Sequence, residues 1–279
     1  SFLNLSPDWA VITSTDADHL DIYGDKATIE QGFRDFADLV PENKQLFVRK
    51  GIQIGRDAKT YAGNEEADFY SDNIREIGDK IYFDFHTQNE EIDDFVWEIP
   101  GIHNVENATV AIAILNNLGV DFETLKRGIS NFRGIKRRYT KHRFDSGKIY
   151  IDDYAHHPTE LNAVIGSIKT FYPHQKLLVV FQPHLFSRTR DFVDGFAESL
   201  NKADELILLD IYPARELQEN FEGITSDWLL EKVILEKKEI STLDEAFSKI
   251  KSKDFDVLLT VGAGNIDTLY DGIVEWLNE

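Results

Sequence analysis

Apolar positions along the chain follow two different rhythms, and the change comes near residue 134. Over Thr28–Val40, Ile29, Phe33, Phe36 and Val40 recur at three- and four-residue intervals, which places them on one face of a helix. Trp9–Thr13 and Gln45–Val48 are short apolar runs that read as strands. In Lys80–His86, Ile81, Phe83 and Phe85 alternate with Tyr82 and Asp84, the period of a strand with one buried and one wet face. The acidic stretch between Glu65 and Asp94 reads as surface hairpins and loops, and Pro100-Gly101 ends it. A helix is expected over Asn104–Asn117, closed by Gly119 in a left-handed cap, and a second from an Asp121 cap to about Asn131.

From Lys148 onward the pattern is strand, loop, helix, repeated. Strands are expected at Ile149–Asp152, Lys176–Phe181, Glu205–Asp210 and Asp256–Val261, and helices at Pro158–Phe171, Arg188–Leu200, Thr225–Glu236 and Asn265–Asn278. The later strands are apolar throughout their middles (LLVVF, LILL, VLLTV), as parallel strands covered on both faces must be. This alternation predicts a doubly wound, Rossmann-like sheet. A basic knot from Arg133 to Arg143 separates the two rhythms, so the boundary is set near Gly134. The fold class is α/β with two domains, residues 1–133 and 134–279, in keeping with a length of 279 residues.

Charge narrows the partners. With 30 basic against 50 acidic residues the net charge is −20, a field that repels a phosphate backbone, so nucleic acid is not an expected partner. Any bound phosphate needs a local basic or backbone-amide site. Zero cysteines exclude a disulfide scaffold and a thiolate metal site, and they suit a cytoplasmic protein. The longest apolar run, Val110–Leu115, falls far short of the roughly 20 residues of a membrane span. The chain has no methionine and opens on Ser1-Phe2-Leu3, so it is expected to be a fragment of a longer protein.

Ligands of an open parallel sheet bind beyond the carboxyl ends of its strands. Those ends carry Asp152-Asp153-Tyr154-Ala155-His156-His157-Pro158, then Phe181-Gln182-Pro183-His184-Leu185-Phe186-Ser187-Arg188, then Asp210-Ile211-Tyr212-Pro213-Ala214-Arg215-Glu216, and finally Gly262-Ala263-Gly264-Asn265. His156, His157, His184, Arg188 and Arg215 are cationic or can become so, which marks this rim as an anion site in an otherwise acidic chain. Adjacent His156 and His157 point apart, so one of them is expected to cap or pack rather than share a ligand. Gly262-Ala263-Gly264 serves equally as a phosphate-binding turn or as a plain tight turn. In the first domain, Asp16-Ala17-Asp18-His19-Leu20-Asp21 follows a strand and reads as a divalent-cation site or as a capped turn. Asn104 and Asn107 lie one turn apart, where carboxamides can pair with a purine edge or simply cap the helix.

Five motifs in order, DADHLDIYG (Asp16–Gly24), GIHNVENA (Gly101–Ala108), DDYAHHPTE (Asp152–Glu160), FQPHLFSRT (Phe181–Thr189) and YPARE (Tyr212–Glu216), resemble the Mur ligases, and within them the alanine-adding branch. The resemblance implies part of a central ATPase domain followed by a Rossmann-like C-terminal domain that handles the amino acid. It implies ATP and Mg²⁺ as cofactors, UDP-N-acetylmuramate and L-alanine as substrates, and an acyl-phosphate route in peptidoglycan precursor synthesis. By the same resemblance His19 helps hold Mg²⁺, Asn104 and Asn107 contact adenine, and Arg137 and Asp153 reach the nucleotide's phosphates or ribose. Tyr154, His156, His184 and Arg188 face the muramate and the incoming amino acid. The family's glycine-rich phosphate loop, G-x-x-x-x-G-K-[ST], does not occur in this sequence, so the chain alone is expected to be inactive. Leu185 stands where some relatives carry Arg. Thr28–Val40 lacks the Lys that sister branches carbamylate, which fits alanine addition. A murein peptide ligase, and a nucleotide-binding module without catalysis, are the alternatives. A dinucleotide-dependent oxidoreductase is disfavoured, since no G-x-G-x-x-G follows the first strand of the second domain.

Overall fold

Residues 2–16, 25–42, 44–77, 80–99 and 101–279 are described by the structure, a computed structural model. The chain divides into two units, Ser1–Arg133 and Gly134–Glu279.

The first unit is built on a six-stranded sheet in sequence order: β1 (Trp9–Ile12), β2 (Gln45–Arg49), β3 (Lys59–Gly63), β4 (Phe69–Ile77), β5 (Lys80–His86) and β6 (Glu91–Trp97). Strands β1 to β4 run parallel, and β4–β5–β6 form an antiparallel meander. Helix α1 (Lys26–Asp38) covers one face, where Ala37 and Val40 close a core with Ala10, Ile12, Leu46, Val48 and Ile54. Helices α2 (Ile102–Asn117) and α3 (Phe122–Asn131) cover the other. There the Ser71 and Thr109 hydroxyls meet at 2.6 Å, and the Phe85 and Phe122 rings lie 6.1 Å apart. Asp121 caps α3 by accepting from the Thr124 amide at 2.9 Å, and Gly119 ends α2 with φ +89.

Two expectations for this unit are corrected. The expected strand Lys80–His86 is present as β5, and the acidic stretch around it, expected as surface hairpins and loops, is ordered into the flanking strands β4 and β6. Asp72 and Asp84 sit opposite each other in the register, Asp72 half-exposed and Asp84 buried, while Phe69, Phe85 and Phe95 form a row of rings 6.0–6.4 Å apart. Both acids are held by hydrogen bonds within the meander. Asp84 accepts from Asn73 at 2.6 Å and from the Asp94 amide at 2.8 Å, and Asp72 meets His86 at 2.8 Å. Helix α1 also starts earlier than expected, because Asp25 caps it through the Thr28 amide at 2.8 Å. It therefore contains Lys26, an exposed side chain 3.7 Å from Glu30.

The second unit is a six-stranded sheet in the order β11-β10-β9-β12-β8-β7. Its strands are β7 (Thr140–Arg143), β8 (Ile149–Asp153), β9 (Leu177–Phe181), β10 (Glu205–Leu209), β11 (Lys238–Ser241) and β12 (Val257–Val261). All are parallel except the edge strand β7. Helices α4 (Pro158–Phe171), α6 (Val193–Leu200) and α7 (Ser226–Lys232) bury Leu161, Phe196 and Leu229 against one face. Helices α8 (Leu243–Lys251) and α9 (Tyr270–Asn278) bury Ile250 and Ile273 against the other. The expected doubly wound architecture is therefore present. The helix expected over Arg188–Leu200 is broken at Phe192 into α5 (Phe186–Asp191) and α6, and the last helix opens with a 3₁₀ turn, Ile266–Leu269. Strand β11 and helix α8 were not anticipated: Lys238 and Glu239 place a charge on each face of this edge strand, so it lacks the apolar run of its neighbours. Among the described residues no helix is long and apolar enough to cross a membrane.

Candidate functional site

The carboxyl ends of β8, β9, β10 and β12 meet at one rim of the second unit. At the end of β8, Asp153 is only 8% exposed. Its two oxygens accept from the Tyr139 and Ala155 amides, each at 2.7 Å, and burial pushes the carboxyl up to about 6. Asp153 thus clasps the turn before β7, in which Arg137 and Tyr139 both adopt positive φ (+60 and +53). That conformation is costly for residues with a side chain, and it persists where surrounding bonds impose it. The Thr140 hydroxyl accepts from the Arg137 amide at 2.9 Å, and the Arg137 carbonyl accepts from the Tyr154 amide at 2.7 Å.

The Arg137 side chain turns back into the rim. It donates to the Gly262 carbonyl at 2.5 Å, lies 3.4 Å from Asp267 and 3.7 Å from Asp152, and covers the Tyr154 ring at 5.0 Å. Asp152 is buried among Thr260, which donates at 2.9 Å, and Tyr150, whose hydroxyl meets Thr260 at 2.8 Å. Burial raises the Asp152 carboxyl above the ordinary carboxylate range.

The paired histidines separate as expected. His157 caps α4, its Nδ1 accepting from the Thr159 amide at 3.4 Å, and its ring packs edge-on against Phe192 at 4.7 Å. Glu160 completes the cap by accepting from the His156 and His157 amides at 2.9 and 3.2 Å. His156 points the other way, edge-on to Tyr154 at 5.2 Å and to His184 at 6.1 Å. Its Nδ1 is 3.0 Å from the Tyr154 carbonyl. A carbonyl only accepts, so the Nδ1 proton is fixed there and Nε2 keeps its lone pair when the ring is neutral.

His184 stacks on Tyr212, with centroids 5.7 Å apart, and its Nδ1 is 3.3 Å from Arg188 Nη1. Burial, then the charges of Arg188, His156 and Arg215, push the imidazole down to about 4. Arg188 itself is 7% exposed, on the six-residue helix α5. The loop is fixed by main chain: Leu185 donates to the Tyr212 carbonyl at 2.9 Å, and Tyr212 donates to Pro183 at 2.8 Å. Glu216 anchors α5 by accepting from the Ser187 amide and hydroxyl at 3.0 and 2.5 Å.

Gly262-Ala263-Gly264 resolves as a close approach between strands. A Cβ on Gly262 would stand 2.5 Å from the Gln182 carbonyl, and one on Gly264 would lie 2.3 Å from Gln182 Oε1 and 2.8 Å from Tyr212. Gln182 fills that space, donating to Asn265 at 2.8 Å and accepting from the Ile266 amide at 3.0 Å.

Tyr154, His156, His184 and Arg188 are therefore one cluster, with Arg137 joined through Tyr154 and Asp153 beneath. Asn104 and Asn107 lie in the other unit, in the first turns of α2, half-buried and exposed respectively. His19, with Asp18 and Asp21, lies outside the described residues. Among the described residues no three His, Asp or Glu side chains gather as a metal-binding group. Sequence reading passed over Glu160 and Asp267. The HPTE spacing is a capping box in which His replaces Ser or Thr, so Glu160 was findable. The Asp267–Arg137 contact carries no local signal.

Residues 1–115 match the Mur ligase middle domain, and residues 137–264 match the Mur ligase glutamate ligase domain. The chain is 44% identical over 279 residues to the UDP-N-acetylmuramate–L-alanine ligase of Flavobacterium psychrophilum, covering 100% of this chain and 61% of that protein. In fold it is similar to the UDP-N-acetylmuramate-alanine ligase of Thermotoga maritima, with a TM-score of 0.78, 24% identity, and coverage of 98% of this chain and 60% of that one. It is also similar to the MurF ligase of Thermotoga maritima in complex with ADP, with a TM-score of 0.71, 15% identity, and coverage of 97% and 62%. The chain spans about three fifths of the length of the relatives it matches, 61% in the first case. It belongs to the Mur ligase family, carrying that family's middle domain followed by its glutamate ligase domain.

Proposed function

We propose that this chain forms the nucleotide-binding and amino-acid-handling parts of a cytoplasmic, ATP-dependent ligase that joins L-alanine to the carboxylate of UDP-N-acetylmuramate. The observation that carries the reading is the cluster of His156, His184 and Arg188 on consecutive strand ends, together with 44% identity to a ligase of that name. In the reaction the muramate carboxylate takes the γ-phosphoryl group of ATP and releases ADP. The amine of L-alanine then attacks the acyl carbon, and phosphate leaves from the tetrahedral intermediate.

The chain's groups suit the second half of this sequence. Arg188 donates to His184 Nδ1, so the neutral His184 carries its proton on Nε2. With a pKa near 4, His184 is no base at neutral pH; it supplies a hydrogen-bond donor beside the guanidinium. A carboxylate fits that pair. The lone pair on His156 Nε2 suits the amine, accepting a hydrogen bond from it or a proton as it is shed. Asn104 and Asn107 offer donors and acceptors to adenine in the first unit. Arg137 and Asp153 remain assigned to the nucleotide, although a phosphate at Arg137 competes with Asp267 at 3.4 Å. Mg²⁺ would neutralise the phosphoryl oxygens, with His19 as its proposed ligand; the described residues gather no further metal-binding group.

The test is ADP release by the natural full-length protein with ATP, Mg²⁺, UDP-N-acetylmuramate and either L-alanine or a muropeptide. Turnover with L-alanine alone supports the reading. Turnover with the peptide alone moves the protein to cell-wall recycling, and no turnover with either leaves a nucleotide-binding module.

A further inference from the structure

The first unit holds an ion pair that this reading does not use. Arg49 ends β2, and Glu106 lies in the opening turns of α2. Arg49 Nε stands 2.9 Å from Glu106 Oε2, and Nη2 donates to Oε1 at 3.1 Å. These are two side-by-side bonds, the arrangement in which a guanidinium fixes both position and plane of a carboxylate. The Glu106 side chain is only 12% exposed, against 48% for Arg49, so the bond is shielded at the acidic end.

Glu106 is held from a second side. It presses on β3 where Gly63 has no side chain: a Cβ there would stand 2.9 Å from Glu106 Cγ and 3.5 Å from Ile102 Cγ1. Buried Tyr61 is in register with Arg49 across β2 and β3. Burial, and then the Glu106 charge, push its phenol up to about 12.

Helical geometry converts this fastening into an orientation. At about 100° per residue, Glu106 points roughly 200° away from Asn104 and 100° away from Asn107. Pinning Glu106 to the sheet therefore turns the Asn104/Asn107 face off the sheet. Side chains stand roughly 5–6 Å from a helix axis, so a rotation of about 10° moves a carboxamide by about 1 Å. That is enough to break a hydrogen bond to a purine edge.

We propose that the Arg49–Glu106 pair, seated over Gly63, is a positioning element that sets the rotation of α2 and so the base selectivity of the nucleotide site. This rests on the assignment of Asn104 and Asn107 to adenine. Arg49 and Glu106 act through the helix and not by contact with the nucleotide.

The test is equilibrium binding of ATP and of GTP to the natural full-length protein, by calorimetry. Glu106→Gln is expected to weaken ATP about tenfold while leaving GTP nearly unchanged, so the preference for ATP falls about tenfold. Arg49→Lys, which keeps the charge but not the paired bonds, should do the same. The double variant should be no worse than either single change. Equal weakening of ATP and GTP by a folded variant would overturn the proposal. So would an unchanged ATP preference in both single variants while Asn107→Leu lowers it. If Asn107→Leu alters neither affinity, the adenine assignment falls and this inference falls with it. Should Glu106→Gln not fold, Arg49→Lys decides alone.

Discussion

His184, in the loop before α5, and Arg188, on α5, bring Nδ1 and Nη1 to 3.3 Å, and the guanidinium can only be the donor. The imidazole must accept, so it must be neutral. Its pKa of about 4 sits below the usual 6.5 of the unfolded chain, so the unfolded state binds the extra proton in between. The contribution of His184 is present above pH 6.5 and is lost as pH falls through 6.5 toward 4. Thermal unfolding of the chain at half-unit steps over this range should show His184→Gln losing less stability on acidification than the parent. An equal loss in both would mean that His184 is not desolvated beside Arg188.

Asp153 has the opposite sign in an overlapping window. Its folded pKa of about 6 lies above the 3.8 usual for an aspartate in the unfolded chain, so the stability it gives is present below 3.8 and declines as pH rises to 6. Asp153→Asn removes this decline, but it sets an amide donor against the Tyr139 or Ala155 N–H. A net cost of about 1–3 kcal/mol is expected at pH 7. Hydrogen exchange should quicken at the Tyr139 and Ala155 amides. Unaltered protection at both would remove Asp153 as the clasp of the turn.

Legibility in the sequence followed the range of the forces involved. The second unit was readable because its strands are apolar on both faces and its helices are short and regularly spaced. In the acidic meander only β5 was legible from its alternation; β4 and β6 were not, because acids such as Asp72 mimic loop composition while the partners of Asp72 and Asp84, among them His86, Asn73 and Arg75, are set by strand pairing. Residue types at the strand ends pointed to the rim where Tyr154, His156, His184 and Arg188 gather, and the separation of His156 from His157 was expected, although which of the two caps was not. Pairings set only by the fold, such as Arg137 with Asp267 or Gly264 with Gln182, left no periodic trace.

The two glycines after β12 should be intolerant, and for different reasons from an ordinary turn glycine. Gly262 combines φ +145 with a backbone oxygen 2.5 Å from any Cβ, and Gly264 meets Gln182 and Tyr212. Overpacking and backbone strain each cost about 1–3 kcal/mol, so Gly262→Ala should cost about 3 kcal/mol or more. Gly147 has φ +83 with nothing within 4 Å, and Gly147→Ala should cost only about 1–2 kcal/mol. Urea unfolding of the two variants, followed in the full chain, checks the order. Equal midpoints for Gly262→Ala and Gly147→Ala would show that Gln182 can yield.

Arg188 separates a charge requirement from a shape requirement. It is buried beside His184, on a helix anchored by Glu216, so its planar guanidinium is presented in a fixed orientation. Lysine keeps the charge and loses the fork, and a two-point contact to a carboxylate is worth roughly 1.5–3 kcal/mol. Arg188→Lys in the natural full-length protein is therefore expected to raise KM for L-alanine about 10- to 100-fold, with KM for ATP within about twofold of the parent. Arg188→Ala removes the charge as well and should lower kcat too, because His184 is then released from its donor and can take up the other tautomer. Had Arg188 served only to hold α5, both variants would lose thermal stability and active protein without changing either KM. A rise in KM for ATP instead of L-alanine would move Arg188 from the amino acid to the nucleotide.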